Sequence, residues 1–288
     1  MARGLDHIVH AVRDLDAAAA LYERLGFVVG ARNRHPWGTH NRAIQLPGFF
    51  YVELLMVAEP EKLTAAGLPL LFGAFHRDFV SRHEGYAMLL LESRDAAQDA
   101  AEFHAAGIAI SDALCFEREA KRPDGSEVTL GFALAFARDA AAPGIGFAAC
   151  QHLAPQNFWN PAFQAHPNTV SGVAGVVLVA ENPSDHHIFL SAFAGERELL
   201  ATSSGITVTT PRGTIQVMDP SAYRRHFGVA PPETGEGARL AAMIVSVRDM
   251  AAAAATLAKA DVPTAKVMGR LVVGPQAAMG ATVVFETG

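Results

Sequence analysis

Cysteine is scarce in this chain: Cys115 and Cys150 are the only two in 288 residues. That excludes a disulfide scaffold and fits a reducing compartment, with both thiols read as small buried hydrophobes. Positive charge is also thin. Lys and Arg total 23 against 29 Asp and Glu, and the net charge is -6. Without a basic run or stripe, nucleic acid is not an expected partner. No uninterrupted apolar stretch approaches the roughly 20 residues of a membrane span. The N-terminus, Met1-Ala2-Arg3-Gly4-Leu5-Asp6-His7, lacks the apolar segment of a secretory signal. A cytoplasmic protein without membrane contact is therefore the expectation. What the chain does have is apolar bulk, half of all residues, which is enough for a well-filled core.

That bulk is arranged as a repeat. Leu5-Asp6-His7-Ile8-Val9-His10-Ala11-Val12 is followed by Arg13-Asp14, an Ala-rich stretch and Leu25-Gly26-Phe27. Tyr86 to Leu91, Arg94-Asp95 and Gly107 repeat the pattern, as do Leu240 to Val247, Arg248-Asp249 and Asp261-Val262. A weaker copy starts at Val176, with Pro183-Ser184-Asp185 opening its helix and Gly195 closing it. Asp14, Asp95 and Asp249 are placed to cap helices by accepting from free N–H groups. Leu15, Ala18, Tyr22 and Leu25 share one helical face. Strand-like stretches follow each helix: Phe27–Arg32, Asn41–Leu46 and Phe50–Val57 in the first copy, then Ala109–Glu117, Val128–Phe136 and Gly144–His152 in the second. Turns at Pro47-Gly48, Pro123-Asp124-Gly125 and Pro211-Arg212-Gly213 separate strands.

The unit is thus βαβββ, used about four times. The fold class is α+β, with modules pairing into two cup-shaped, curled mixed sheets and helices outside. The first domain spans 1–157, with modules at 5–60 and 85–153. A proline-stiffened connector at 158–172 leads to a second, degenerate domain at 173–288. Residues 61–84 read as a short helix over the surface.

Chemistry-bearing residues concentrate in the first domain. His7 lies in the first strand, and Glu53 interrupts an apolar strand where a lone carboxylate is costly to bury. His152 ends the last strand of the second module. Two imidazoles and a carboxylate make the facial arrangement of a catalytic divalent metal, so His7, Glu53 and His152 are its candidate ligands. The hairpin His35-Pro36-Trp37-Gly38-Thr39-His40-Asn41 offers His35, Thr39, Asn41 and Trp37 as substrate contacts. Glu53 is the candidate catalytic group, and His40 an outside candidate for a base. His76, His83, His104, His186, His187 and His226 read as surface or capping residues, and His166-Pro167-Asn168 as fixing the connector's path.

These stretches resemble a known group. Leu5-Asp6-His7, Val12-Arg13-Asp14-Leu15 and Leu25-Gly26-Phe27 look like the start of a vicinal-oxygen-chelate (glyoxalase, bleomycin-resistance, extradiol dioxygenase) module. The hairpin, Tyr51-Val52-Glu53-Leu54 and Gln151-His152-Leu153-Ala154-Pro155 resemble its glyoxalase-like domain proteins. The resemblance implies paired modules around a divalent metal (Zn, Ni, Mn or Fe), with His7 and Glu53 as usual ligands. It implies a lyase or isomerase acting on a small substrate with vicinal oxygens. A metal-free binding protein, lined by Phe49, Phe50, Tyr51, Phe147 and Phe158, and an extradiol-type dioxygenase are the alternatives. The sequence departs from the pattern at Met88, where a second histidine is often found. No histidine opens the third and fourth copies, so the second cup is expected to be structural or metal-free. Open sheet edges leave a homodimer possible.

Overall fold

The computed structural model describes residues 1–64, 66–121 and 125–288; the expected turn at Pro123-Asp124 lies outside them. The first module runs β1 (Leu5–Ala11), α1 (Leu15–Arg24), β2 (Asn33–Arg34), β3 (Thr39–Leu46) and β4 (Phe50–Val57). After α2 (Phe75–Arg82), the second runs β5 (Gly85–Glu92), α3 (Ala96–Ala105), β6 (Leu114–Lys121), β7 (Glu127–Ala137) and β8 (Gly146–His152). The helix α4 (Pro155–Phe158) leads to β9 (Val170–Val179), α5 (His187–Ala194), β10 (Leu199–Thr202), β11 (Gly205–Thr209) and β12 (Thr214–Met218). Finally α6 (Pro220–Phe227) precedes β13 (Arg239–Val247), α7 (Met250–Lys259), β14 (Ala265–Val267), β15 (Arg270–Val273) and β16 (Thr282–Thr287).

The strands form two eight-stranded sheets of identical order, β2-β3-β4-β1-β5-β8-β7-β6 and β10-β11-β12-β9-β13-β16-β15-β14. Within each module the first and last strands run parallel, and the first strands of paired modules meet antiparallel. Each sheet is therefore mixed and pseudo-symmetric about its central pair. Asp14, Asp95 and Asp249 cap α1, α3 and α7 as expected, each accepting from two backbone N–H groups. Gly26 and Gly107 follow their helices at positive φ, and Gly195 ends α5 in the same way.

Strand alternation divides the side chains between two faces. Leu5, Ile8, Leu54, Leu89 and Leu91 join Val176, Leu178, Met243 and Val283 in one core shared by both halves on the convex side. Helix residues Tyr22, Phe103, Phe193 and Leu257 complete it. The concave faces differ. That of the second sheet is filled by Tyr223 and Phe227 of α6, packed on Val177, Val179, Ala242 and Ile244. That of the first holds Val9, Leu55, Met88, Leu90 and Cys150 under Trp37, Leu68 and Phe72.

Several expectations need correction. The chain at 27–32 is not a strand: Val28 N donates to His166 Nδ1 and Gly30 N to the Ala43 carbonyl, so its backbone is satisfied without a ladder. The strand read at 109–117 begins later, at Leu114. The 61–84 segment does not merely cross the surface. A wide helical turn at Pro69–Ala74 runs into α2 and buries Phe72 and Phe79, roofing the first cup. His76 and His186 are buried rather than superficial, and Cys115 is exposed. No helix among the described residues is long and apolar enough to cross a membrane.

Candidate metal centre and its cup

β1 and β4 lie side by side with His7 opposite Tyr51 and Val9 opposite Glu53. Their alternation turns His7, Tyr51 and Glu53 into the cup, and all three are buried. A bulge in the β1–β5 ladder between Leu5 and His7 brings Asp6 alongside. His7 Nδ1 donates to Asp6 Oδ1 at 2.5 Å, which leaves Nε2 as the acceptor. Nε2 receives the Tyr51 hydroxyl at 3.2 Å and stands 3.9 Å from Glu53 Oε2. The Tyr51 ring stacks on the imidazole, with centroids 4.2 Å apart.

The other carboxylate oxygen of Glu53 accepts from Asn41 Nδ2 at 2.5 Å and lies 3.9 Å from His35 Nε2. Burial raises the Glu53 pKa, and His7, the Asn41 bond and Arg118 offset only part of that rise. Burial pushes His35 well below its ordinary value, helped by the Arg118 charge, so its imidazole is neutral. Its Nδ1–H donates to Thr39 Oγ1 at 2.8 Å, and Trp37 stacks on its ring at 4.6 Å. His35, Trp37 and Asn41 thus line the cup, while Thr39 sits behind His35 and holds its ring. His40 points the other way, to Glu59 at 3.2 Å.

His152 is brought to the same region but to a different partner. Its Nε2 lies 3.2 Å from Asp6 Oδ2, and Phe132, Phe158 and Trp159 surround its ring. No hydrogen bond or ion pair joins it to Glu53 among the described residues. Burial works against the Asp6 carboxylate, but His152 and His7 outweigh it and hold the group well below the usual carboxylate range. Cys150, inward on β8, has ligand-type atoms within 4.8 Å of those of Asp6 and His7. Burial pushes its thiol well up, with Asp6 and Glu53 adding to the shift.

The donor set can be tested against a metal. Metal-binding imidazoles almost always have their other nitrogen held by a carboxylate, carbonyl or water. Asp6 does this for His7. Two ligand atoms sharing one ion at about 2.1 Å lie roughly 3 Å apart. Bringing the 3.9 Å between His7 Nε2 and Glu53 Oε2 to that spacing takes side-chain movement, and the Tyr51 hydroxyl must release the Nε2 lone pair. These residues fit half of a site. Met88 stands seven residues before its helix cap Asp95, as His7 does before Asp14. Ala148 pairs with Leu90 as Glu53 pairs with Val9. The second module therefore has Met88 and Ala148 where the first has His7 and Glu53.

The cup encloses a cavity of about 40 Å³. Among the described residues, three buried polar atoms on its lining lack any partner: Trp37 Nε1, Asn41 Oδ1 and Arg118 Nε. Native interiors seldom leave such atoms unpaired, so these three are free to take a ligand or water. Asp6, Cys150 and Arg118 were not among the residues singled out from sequence. Inward parity on β8 could have found Cys150. Arg118, between Glu117 and Glu119, reads as part of a solvated strand edge and gave no signal. Of the apolar lining expected for a metal-free site, Tyr51 and Phe158 face the cup. Phe50 and Phe147 alternate into the convex core, and Phe49 is exposed.

A pseudo-symmetric pair of βαβββ modules, with His and Glu on its central parallel strands, defines the class. A family model described as a glyoxalase-like domain matches residues 5–193, and the chain belongs to that family. Among solved structures it is similar to a hypothetical protein from Staphylococcus aureus, with TM-score 0.68, 13% identity and coverage of 99% of this chain and 100% of that one. It is also similar to a mutant of 4-hydroxymandelate synthase from Streptomyces coelicolor, with TM-score 0.61, 14% identity and coverage of 99% and 92%. A xylose isomerase-like TIM barrel/4-hydroxyphenylpyruvate dioxygenase fusion protein gives TM-score 0.57, 12% identity and coverage of 99% and 48%. At these identities the likeness is one of fold. No curated protein matches the chain.

Proposed function

We propose that the first cup is the active site of a metal-dependent enzyme of the lyase or isomerase type, acting on a small molecule with adjacent oxygens. The observation that carries this is His7 Nε2, oriented by Asp6 and 3.9 Å from Glu53 Oε2 at the floor of a buried cup. His7 and Glu53 would hold a divalent ion, and His152 would join them by leaving Asp6. The ion would act as a Lewis acid on the substrate oxygens. Asn41 holds Glu53 in place, and Trp37 and His35 form the wall against which the substrate lies. Glu53 would take a proton from carbon beside a bound oxygen only on leaving the ion, when burial again raises its proton affinity. Phe72 and the connector's Phe158 exclude water from that step.

Metal analysis of protein purified without added metal tests this, together with melting curves in Zn, Ni, Mn or Fe salts. Bound metal, or a melting temperature raised in wild type but not in His7→Ala, is the expected result. No metal and no shift with any salt would overturn it. The apolar Met88 and Ala148 at the paired positions favour a second reading, a metal-free binding site using the unpartnered atoms of Trp37, Asn41 and Arg118. Ligand affinity unchanged by chelator and by His7→Ala would select it.

A further inference from the structure

Beyond the small inner cavity lies a second chamber of about 230 Å³ that no function has yet claimed. Its walls come from β3, β6, β7 and the connector, including Gln45, Leu130, Trp159 and Phe163. The two spaces share Ala43, Arg118 and Phe158, so these side chains form the neck between them. Arg118 is the sole charged group among the described residues lining the outer chamber, and neither space is lined by another Lys or Arg.

The Arg118 guanidinium is only partly used. One nitrogen, Nη1, donates to Asn33 Oδ1 at 2.8 Å, joining β6 to β2, the two edges of the curled sheet. Nε is buried and has no partner among the described residues. Glu53 accepts from Asn41 and lies 3.9 Å from His7 and His35, and no described carboxylate is within ion-pair distance of Arg118. Burial depresses the Arg118 pKa and Glu53 only partly restores it, so the cation is under-compensated. Tying two sheet edges needs only a neutral donor. A half-buried guanidinium without a carboxylate partner leaves a charge that a ligand's anion can balance.

We propose that Arg118 binds the carboxylate of the substrate at this neck, so that the substrate is an organic monoanion spanning it, with its adjacent oxygens in the inner cup and the rest of its body in the outer chamber. A planar guanidinium matches a carboxylate through paired N–H donors. One cation without a second basic residue is balanced by a single negative charge and leaves a phosphate dianion unneutralised. Phe158, on the short helix α4, closes the neck beside it. This carboxylate site rests on the function proposed above and names the substrate class of the same cup.

The chain's two tryptophans give a direct assay, because Trp37 lines the inner cavity and Trp159 the outer chamber. Benzoate, cyclohexanecarboxylate, benzamide and inorganic phosphate are titrated against the tryptophan fluorescence of the protein as purified. The expected result is saturable binding of the carboxylates, with benzamide and phosphate weaker by about tenfold or more. Arg118→Met abolishes that preference and Arg118→Lys keeps part of it. Asn33→Ala, which breaks the edge-to-edge bond and the local bond to the Ala31 carbonyl but keeps the guanidinium, preserves it. Equal binding of benzoate and benzamide to wild type would overturn the proposal, as would tighter binding of phosphate or no saturable response to any carboxylate. None of these needs a variant to fold. Metal uptake is read separately. Carboxylate preference without metal uptake would leave this site standing and overturn the metal reading, and the converse result would do the reverse.

Discussion

Lowering the pH should weaken the fold through His10, and replacing that residue should remove a definable part of the loss. His10 is fully buried on the convex side of β1, between the rings of Tyr22 and Tyr86. Its Nε2–H donates to the Met279 carbonyl of the second half, and its Nδ1 accepts from the Tyr22 hydroxyl, both at 2.9 Å. Burial pushes its pKa down from 6.5 to about 4, and neither the Met279 bond nor Glu84 compensates. Because the folded value lies below the unfolded one, the unfolded chain binds more protons anywhere between them. Stability is therefore full above the upper value and falls as pH drops through the window. Integrated from about pH 7 to about pH 4, one such histidine costs about 3 kcal/mol. His76, also pushed down to about 4 by burial, adds a similar loss. Urea unfolding of wild type and His10→Gln at several pH values in this window measures the effect. The variant loses about 1–2 kcal/mol at neutral pH through its hydrogen bonds. Its further loss on acidification should be smaller than that of wild type by about 3 kcal/mol. Carboxylates titrate alike in both proteins and cancel. Parallel curves for the two proteins would refute the reasoning.

Asp6→Asn should leave His7 in place but reduce divalent-metal affinity by about tenfold to a hundredfold, as calorimetry would show, because it no longer holds the Nδ1 proton as firmly. Tyr223→Ala should cost about 3–5 kcal/mol in chemical unfolding by emptying the second cup, and should leave carboxylate binding at Arg118 unchanged. Gly38→Ala should lower the melting temperature and weaken ligand binding together. Gly38 has φ +89, and an added Cβ would meet the Glu59 carbonyl, so the hairpin carrying His35, Trp37 and Asn41 must shift.

Local chemistry decided much of this protein in advance. The Asp caps at 14, 95 and 249 and the glycines after α1 and α3 act within a turn or two of chain, so the four βαβββ units were legible from sequence. Strand alternation likewise placed His7 on a defined face, and Glu53 stood out as a carboxylate in an apolar strand. Short-range signals failed where the backbone found distant partners. The 27–32 segment bonds to His166 and β3, and the 61–84 segment helped roof a cup. The site's finer structure depended wholly on tertiary pairing. Asp6 reached His7 and His152 through a bulge, His152 settled beside Asp6, and Arg118 met the cup only because β6 curls round to β2. Nothing near α6 in sequence announces that Tyr223 and Phe227 fill the second cup. Residue type and spacing determine which groups a strand carries. Which of them share a cavity is set by register, bulges and sheet curl, and these arise from contacts between residues far apart in the chain.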